Sequence, residues 1–277
     1  MPFVERGEAR IFWNAIGEGE PVVLVMGLGC SSAAWFRVAP KLARRHRVIL
    51  LDNRGAGQTT VSHYVVHRVS SMAADIAAVL DAAGEASAHL VGFSMGGMIS
   101  QQFAIDFPRR VRSLALLGTP PGGVWAVQAH PSVRDLLFAK GDTPVAQSMA
   151  EMRAYTYARE TPDELFDEDV VVRAANAPTK RGLQAQLLAL IGWSAYLDLP
   201  RLRCPTLILH GLQDALIPPA NGRLLASRIP GSALIEYPQA SHWLTTDQNA
   251  RCVDALLDHL HAHRQTGQAS PSYTLIP

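Results

Sequence analysis

Cysteine is scarce: Cys30, Cys204 and Cys252 are the three in 277 residues, an odd number at wide, unrelated spacings. That excludes a disulfide framework and any zinc-binding set of recognisable spacing. Charge is scarce too. Only 18% of residues are charged, and 25 Lys and Arg against 24 Asp and Glu leave a net charge of +1. Such a balance gives no electrostatic footprint for a nucleic acid. No apolar run approaches the ~20 residues of a membrane helix. The N-terminal MPFVERGEARIFW carries charges where a secretory signal has its apolar stretch. The expectation is a soluble, cytoplasmic chain with reduced thiols, no resident metal, and neither membrane nor nucleic acid as partner. Oligomeric state is not legible, and a homodimer is one option.

What the chain does have is apolar content, 48%, enough to bury a sizeable core. Strand patterns lie at about 9–14, 21–26, 47–52, 88–93, 112–117, 205–210 and 233–237. Several are continuous apolar runs, such as Val22-Val23-Leu24-Val25 and Leu207-Ile208-Leu209, which suit a parallel sheet covered on both faces. Helical patterns fall between them at about 32–45, 69–83, 95–107, 219–228 and 247–263. In the second of these, Met72, Ile76, Val79 and Leu80 form a core stripe. Alternating strands and helices predict an α/β fold with a mostly parallel, doubly wound sheet.

The alternation lapses between about 120 and 199. An 80-residue stretch is too long for a loop, so a helical cap inserted into a core of 1–119 and 200–264 is expected. The tail 265–277 is expected to be loosely ordered. Trp125, Phe138, Tyr155 and Trp193 in the cap, with Trp243 beyond it, are candidates to line a substrate pocket, although such residues more often pack a cap onto its core. Five cap arginines, Arg134, Arg153, Arg159, Arg173 and Arg181, are candidates to hold a carboxylate, although most arginines on a helix face are solvated.

The densest signal is Gly92-Phe93-Ser94-Met95-Gly96-Gly97, a G-x-S-x-G set between a strand and a helix. Bare G-x-S-x-G arises by chance in roughly one chain in ten of this length, so the context decides. A sharp strand-to-helix turn needs glycine at both flanks and pushes the serine outward. Serine is a weak nucleophile and requires a base. Most of the ten histidines sit at strand starts, in a polar loop (His63, His67) or at a helix end. His242 instead follows a strand after Pro238-Gln239-Ala240-Ser241, which puts it at the same sheet edge as Ser94. Asp214, four residues past another strand end, is the candidate carboxylate, with a turn or N-cap aspartate as the alternative. The chain order Ser94, Asp214, His242 favours a triad. An oxyanion would be met by the backbone N–H of Met95 and by that of Leu28, in the loop Gly27-Leu28-Gly29-Cys30. Asp52 and Arg54 are read as builders of a structural turn.

With G-F-S-M-G-G at 92–97, D-N-R-G-A-G at 52–57, H-G-L-Q-D at 210–214 and S-H-W at 241–243, the chain resembles the α/β-hydrolase superfamily over about 10–263. It looks most like the enol-lactonase, esterase and cofactor-free haloperoxidase branch. Met26-Gly27 departs from the His-Gly that many members carry at the oxyanion loop. The resemblance implies a serine hydrolase for a carboxylic ester or lactone of a small, largely apolar molecule, without cofactor. The alternatives it leaves are C–C bond hydrolysis, perhydrolysis, cyclase or lyase chemistry on the same triad, and a ligand receptor.

Overall fold

The computed structural model describes residues 3–62, 66–138 and 143–264, without the side chains of Leu137 and Phe138. His63 and the tail 265–277 lie outside the described residues. Among these, nine strands form one sheet: β1 Phe3–Arg6, β2 Ala9–Ile16, β3 Glu20–Val25, β4 His46–Leu51, β5 Thr60–Val61, β6 Ala88–Phe93, β7 Val111–Leu117, β8 Thr206–Gly211 and β9 Ala233–Tyr237. Their order is β1-β2-β4-β3-β6-β7-β8-β9, with β5 on β2. From β4 to β9 all pairings are parallel; β2 pairs antiparallel with β1, β4 and β5. The fold is thus the expected α/β arrangement with a mostly parallel sheet.

The helices are α1 Ala39–Leu42, α2 Val69–Ala82, α3 Met95–Asp106, α4 Pro131–Phe138, α5 Val145–Thr156, α6 Asp163–Ala175, α7 Lys180–Leu190, α8 Ala220–Arg228, α9 Leu244–Asp247 and α10 Asn249–Ala262. One differs from expectation. The single helix expected over 32–45 is a 3-10 turn, Ser32–Trp35, followed by the short α1. Pro40, in the first turn of α1, has no N–H to give and clashes with a preceding helical turn, so a helix must begin just before it. Helices α4 to α7 all fall between β7 and β8, and no strand of the sheet lies among the described residues there. Among the described residues no helix is long and apolar enough to cross a membrane.

The period of two in the strands sorts the core into two layers. Val23, Val25, Ile49 and Leu116 face α2 and α3, meeting Met72, Ile76, Val79 and Phe103. Val22, Leu24, Leu50 and Leu117 face the other way, onto Trp35, Leu42, Leu256 and Leu260. Each such side chain contributes about 1.5–3 kcal/mol by leaving water. Strand order reverses about β3, since β4 lies to one side of it and β6 to the other. The loops leaving β3 and β6 therefore diverge and open a crevice at the C-terminal edge of the sheet, where sites in such folds gather.

The segment after β4 builds the turn expected of it. Asp52 Oδ1 accepts from the Ser32 amide and hydroxyl, both at 2.7 Å, and Oδ2 accepts from the Gln58 amide at 2.8 Å. Arg54 donates twice to Asp75 on α2, at 2.6 and 2.8 Å, with both side chains buried. Burial pushes the Asp75 carboxyl above its usual range and Arg54 draws it back down. Arg54→Met leaves Asp75 with only Arg6, at 3.4 Å and partly exposed. A loss of about 3–5 kcal/mol in urea unfolding is expected, as for other broken buried pairs. A carboxyl whose pKa is higher folded than unfolded favours folding at low pH and loses that advantage as pH rises through the folded value. Removing Arg54 raises it further, so the deficit should be larger at about pH 8 than at about pH 5. A loss below about 1 kcal/mol, or one independent of pH, would show that the pair does not hold this turn.

Candidate active site

Ser94 joins β6 to α3 at φ 53° and ψ −121°, the one non-glycine positive φ among the described residues. Such a backbone costs of order 1–3 kcal/mol and persists only where its surroundings over-determine it. They do so here. The Ser94 amide donates to the Leu117 carbonyl on β7 at 2.9 Å, and its carbonyl accepts from the Gly97 amide at 2.9 Å and Thr119 Oγ1 at 2.7 Å. The flanking glycines are required by contact. A Cβ at residue 92 would lie 2.5 Å from the Gly96 carbonyl oxygen, and one at 96 only 2.0 Å from that of Val25 on β3.

The structure brings the three expected polar side chains into one line. His242, five residues past β9, places Nε2 3.1 Å from Ser94 Oγ. Its Nδ1–H donates to Asp214 Oδ2 at 2.8 Å. Asp214 is held from its other oxygen, which accepts from the amides of Leu216 at 3.0 Å and Ile217 at 2.7 Å. His242 and Asp214 are buried while Ser94 is half-buried, so the exposed end of the line is the hydroxyl. The Phe93 ring lies 4.9 Å from the imidazole. Asp247 on α9 fixes the loop carrying His242. Its carboxylate accepts from the Ser241 amide at 2.7 Å, and from Ala158 N and Thr161 Oγ1 in the loop between α5 and α6 at 3.2 and 2.6 Å.

Four other described histidines are shifted by burial. Burial lowers His46, His89 (to about 3), His210 and His259 (to about 4). His210 props the Asp214 loop, with Nε2–H donating to the Ile217 carbonyl at 2.8 Å.

The loop after β3 lies against the serine: a Cβ on Gly27 would be 3.0 Å from Ser94 Cβ. Its carbonyl at Met26 accepts from Asn53 Nδ2 at 2.7 Å and its amide at Gly29 donates to Gln186 Oε1 at 2.8 Å. These two side chains meet the polar groups of a loop that has methionine in place of histidine. Leu28 and Met95, the residues expected to give the oxyanion amides, both line a cavity of about 780 Å³ that also contains Ser94 and His242.

Of the five aromatic residues proposed for the pocket, Trp243 lines that cavity. Trp125 is half-exposed and stacks on Tyr196, with ring centroids 4.6 Å apart. Trp193 is turned away, its Nε1–H donating to Gln102 Oε1 at 2.7 Å. Tyr155 packs beside Met152 and Leu216 instead. Phe138 ends α4, and its side chain lies outside the described residues. Aliphatic and thioether residues, among them Met98, Met149, Met152, Leu187 and Leu190, make more of the wall than rings do. Gln128, Thr156 and Tyr157 add polar groups, and Arg173 on α6 is the one Lys, Arg, Asp or Glu side chain among the described lining residues. Its guanidinium sits 4.6 Å from the Trp243 ring centroid. Burial opposes its charge, and Cys30, Tyr157 and Asp169 more than restore it. Helical spacing places all the inserted arginines alike, so the sequence had no means of singling this one out.

Gly96→Ala tests the elbow. The added methyl meets the Val25 carbonyl, and neither backbone can yield without moving β3 or α3. A destabilisation of at least about 3 kcal/mol, the top of the usual range for overpacking, is expected in urea unfolding. A variant as stable as the wild type would mean that the close approach is not a constraint.

Known proteins are similar to this chain in sequence and fold. The α/β-hydrolase fold family matches residues 20–247. A 2-hydroxy-6-oxo-2,4-heptadienoate hydrolase of Pseudomonas putida is 34% identical, over 89% of this chain and 91% of its own. A pimeloyl-[acyl-carrier protein] methyl ester esterase of Chromobacterium violaceum is 29% identical, over 91% and 98%. Among solved structures, a thermophilic esterase from Thermogutta terrifontis superposes with a TM-score of 0.81 at 25% identity, covering 95% of this chain and 99% of its own. The chain belongs to the α/β-hydrolase fold family and is a hydrolase of that family.

Proposed function

We propose that the chain hydrolyses a carboxylic ester or lactone of a small, largely apolar substrate through an acyl-enzyme on Ser94. The observation that carries this reading is the unbroken line Ser94 Oγ, His242 Nε2, His242 Nδ1, Asp214 Oδ2, at 3.1 and 2.8 Å, on a serine held in a left-handed turn. His242 takes the Ser94 proton as the oxygen attacks the carbonyl carbon. The amides of Met95 and Leu28 receive the negative charge. Met95 opens α3, so the positive end of a helix dipole adds to its amide. Asp214 keeps the imidazole in the tautomer with Nδ1 protonated and stabilises its charged form. His242 then gives the proton to the departing oxygen. Water, activated in the same way, releases the acyl group. Every step is supplied by these side chains and amides.

A second reading, C–C bond hydrolysis with the same triad, rests on Arg173. A guanidinium in a mostly apolar wall suits an anionic group on the substrate. The Pseudomonas putida relative is named for a dienoate, a molecule that carries a carboxylate.

The two readings separate in steady-state kinetics. With p-nitrophenyl acetate and butyrate, the wild type should turn over many times, and Ser94→Ala should lose at least about 10³-fold in kcat. Equal rates in the two proteins would rule out Ser94 as the nucleophile. With 2-hydroxy-6-oxohepta-2,4-dienoate as the acidic substrate, Arg173→Met should raise KM relative to its effect on p-nitrophenyl butyrate by at least about tenfold, the worth of one charge-assisted hydrogen bond. Equal effects on the acidic and neutral substrates would remove Arg173 as an anion site, and with it the support for the second reading.

A further inference from the structure

Gln186 on α7 is fully buried, and its amide joins the loops after β3 and β4. Oε1 accepts from the Gly29 amide at 2.8 Å, across 157 residues of sequence. Nε2 donates to the Arg54 carbonyl at 2.8 Å, across 132. Only one orientation of the amide satisfies both partners, since one is an N–H and the other a C=O. We propose that Gln186 is a positioning residue that sets the direction of the oxyanion loop and ties it to the inserted helix that lines the cavity. This rests on the reading above that the Leu28 amide is an oxyanion donor.

The turn Gly27-Leu28-Gly29-Cys30 is closed by the Cys30 amide on the Gly27 carbonyl at 3.3 Å, and Gly29 has φ +68°. A positive φ at the third position marks a type II turn. Types I and II differ mainly by a flip of the central peptide, here Leu28–Gly29, and glycine at the third position removes the steric barrier to either form. The N–H of that peptide is the group that Gln186 accepts from. Flipped, it would aim the Leu28 carbonyl at Gln186 Oε1, oxygen against oxygen. Gln186 therefore selects one of two turns that the glycine would otherwise allow. The Leu28 N–H lies in the preceding peptide, so the choice sets how the loop seats against Ser94 rather than rotating that amide.

The rest of α7 reinforces the link. Gly182 and Gly55 pack backbone to backbone, so that a Cβ on Gly182 would lie 2.2 Å from the Gly55 carbonyl oxygen. A Cβ on Gly29 would lie 3.1 Å from Leu183 Cδ1. The next turn of α7 presents Leu187 and Leu190 to the cavity. One helix thus touches the substrate space with its last turns and the oxyanion loop with its middle. A substrate that seats α7 correctly also seats the loop.

The test compares wild type, Gln186→Met and Gln186→Glu with p-nitrophenyl butyrate, with thermal midpoints measured beside the kinetics. Methionine keeps the volume and loses both hydrogen bonds. Glutamate keeps an acceptor for the Gly29 amide, whichever its protonation state. Deleting an oxyanion donor outright costs 10²–10³ in kcat, so misplacing one should cost at least about tenfold. Gln186→Met is expected to lose that much kcat with KM within about twofold. It should also weaken inhibition by phenylboronic acid by the same factor. There the boron accepts the Ser94 oxygen, the serine proton passes to His242, and the tetrahedral anion uses the same amides. Gln186→Glu is expected to regain kcat to within about threefold of wild type even with a lowered thermal midpoint. Should Gln186→Met fail to fold, Gln186→Asn, too short to span both loops, is expected to show the same loss. Unchanged kcat in the methionine variant would overturn the proposal, as would kcat falling in step with the thermal midpoint in both variants. A wild type without turnover would overturn the acyl-transfer reading itself, and this inference with it.

Discussion

Two carbonyl oxygens occupy the places where Cβ atoms of residues 96 and 92 would stand: Val25 O, 2.0 Å from the first, and Gly96 O, 2.5 Å from the second. This contact between the start of α3 and the backbone of β3 governs the rest of the site. It lets the chain turn from strand to helix in one residue, which forces Ser94 into a left-handed conformation and its hydroxyl into the crevice. It also sets the β3 loop against the serine, where a Cβ on Gly27 would come within 3.0 Å of Ser94 Cβ. The strain, of order 1–3 kcal/mol, is offset by sheet hydrogen bonding and by Thr119. The arrangement is a fixed feature of the folded chain rather than one awaiting a ligand.

The polar groups around this point are organised as buried nodes that tie the inserted helices to the sheet edge. Asp247 joins the His242 loop to Ala158 and Thr161. Asp169 on α6 accepts from Arg37, Tyr157 and Thr246 at 3.1, 2.9 and 2.7 Å. Gln186 joins α7 to the loops after β3 and β4. A buried polar group left without partners costs about 1–3 kcal/mol, so each node resists displacement of the insertion relative to the core. The space enclosed beneath is lined mostly by apolar side chains, with Arg173 as its one Lys, Arg, Asp or Glu among the described residues.

Much of this was legible in the sequence where local chemistry forces a residue choice. The glycines of the elbow, the apolar parallel strands and the sites following strand ends announce themselves, because turns and buried strands accept few residue types. The failures have equally physical causes. β1, with sequence FVER, carries two charged residues in four and sits at the sheet edge, so no apolar pattern marks it. β5 is two residues long. The helix expected over 32–45 breaks because Pro40 can only sit in a first turn, so a new helix starts beside it. In the insertion, aromatic residues at helical spacing signalled burial but not which cavity or neighbour they meet. Trp125 and Trp193 stack and hydrogen-bond outside the pocket, while methionines and leucines line it. Gln186 carried no signal at all, since its importance lies in two partners more than 130 residues away.

The most direct test of the central claim is covalent labelling of the intact protein with diethyl p-nitrophenyl phosphate. The Ser94 oxygen attacks phosphorus, p-nitrophenolate leaves, and peptide mass mapping locates the adduct. The expected result is one diethylphosphoryl group per chain, on Ser94, with the labelling rate reduced at least about 10³-fold in His242→Gln. No adduct, an adduct on another residue, or a rate indifferent to His242 would contradict the assignment of Ser94 as a nucleophile activated through His242 and Asp214.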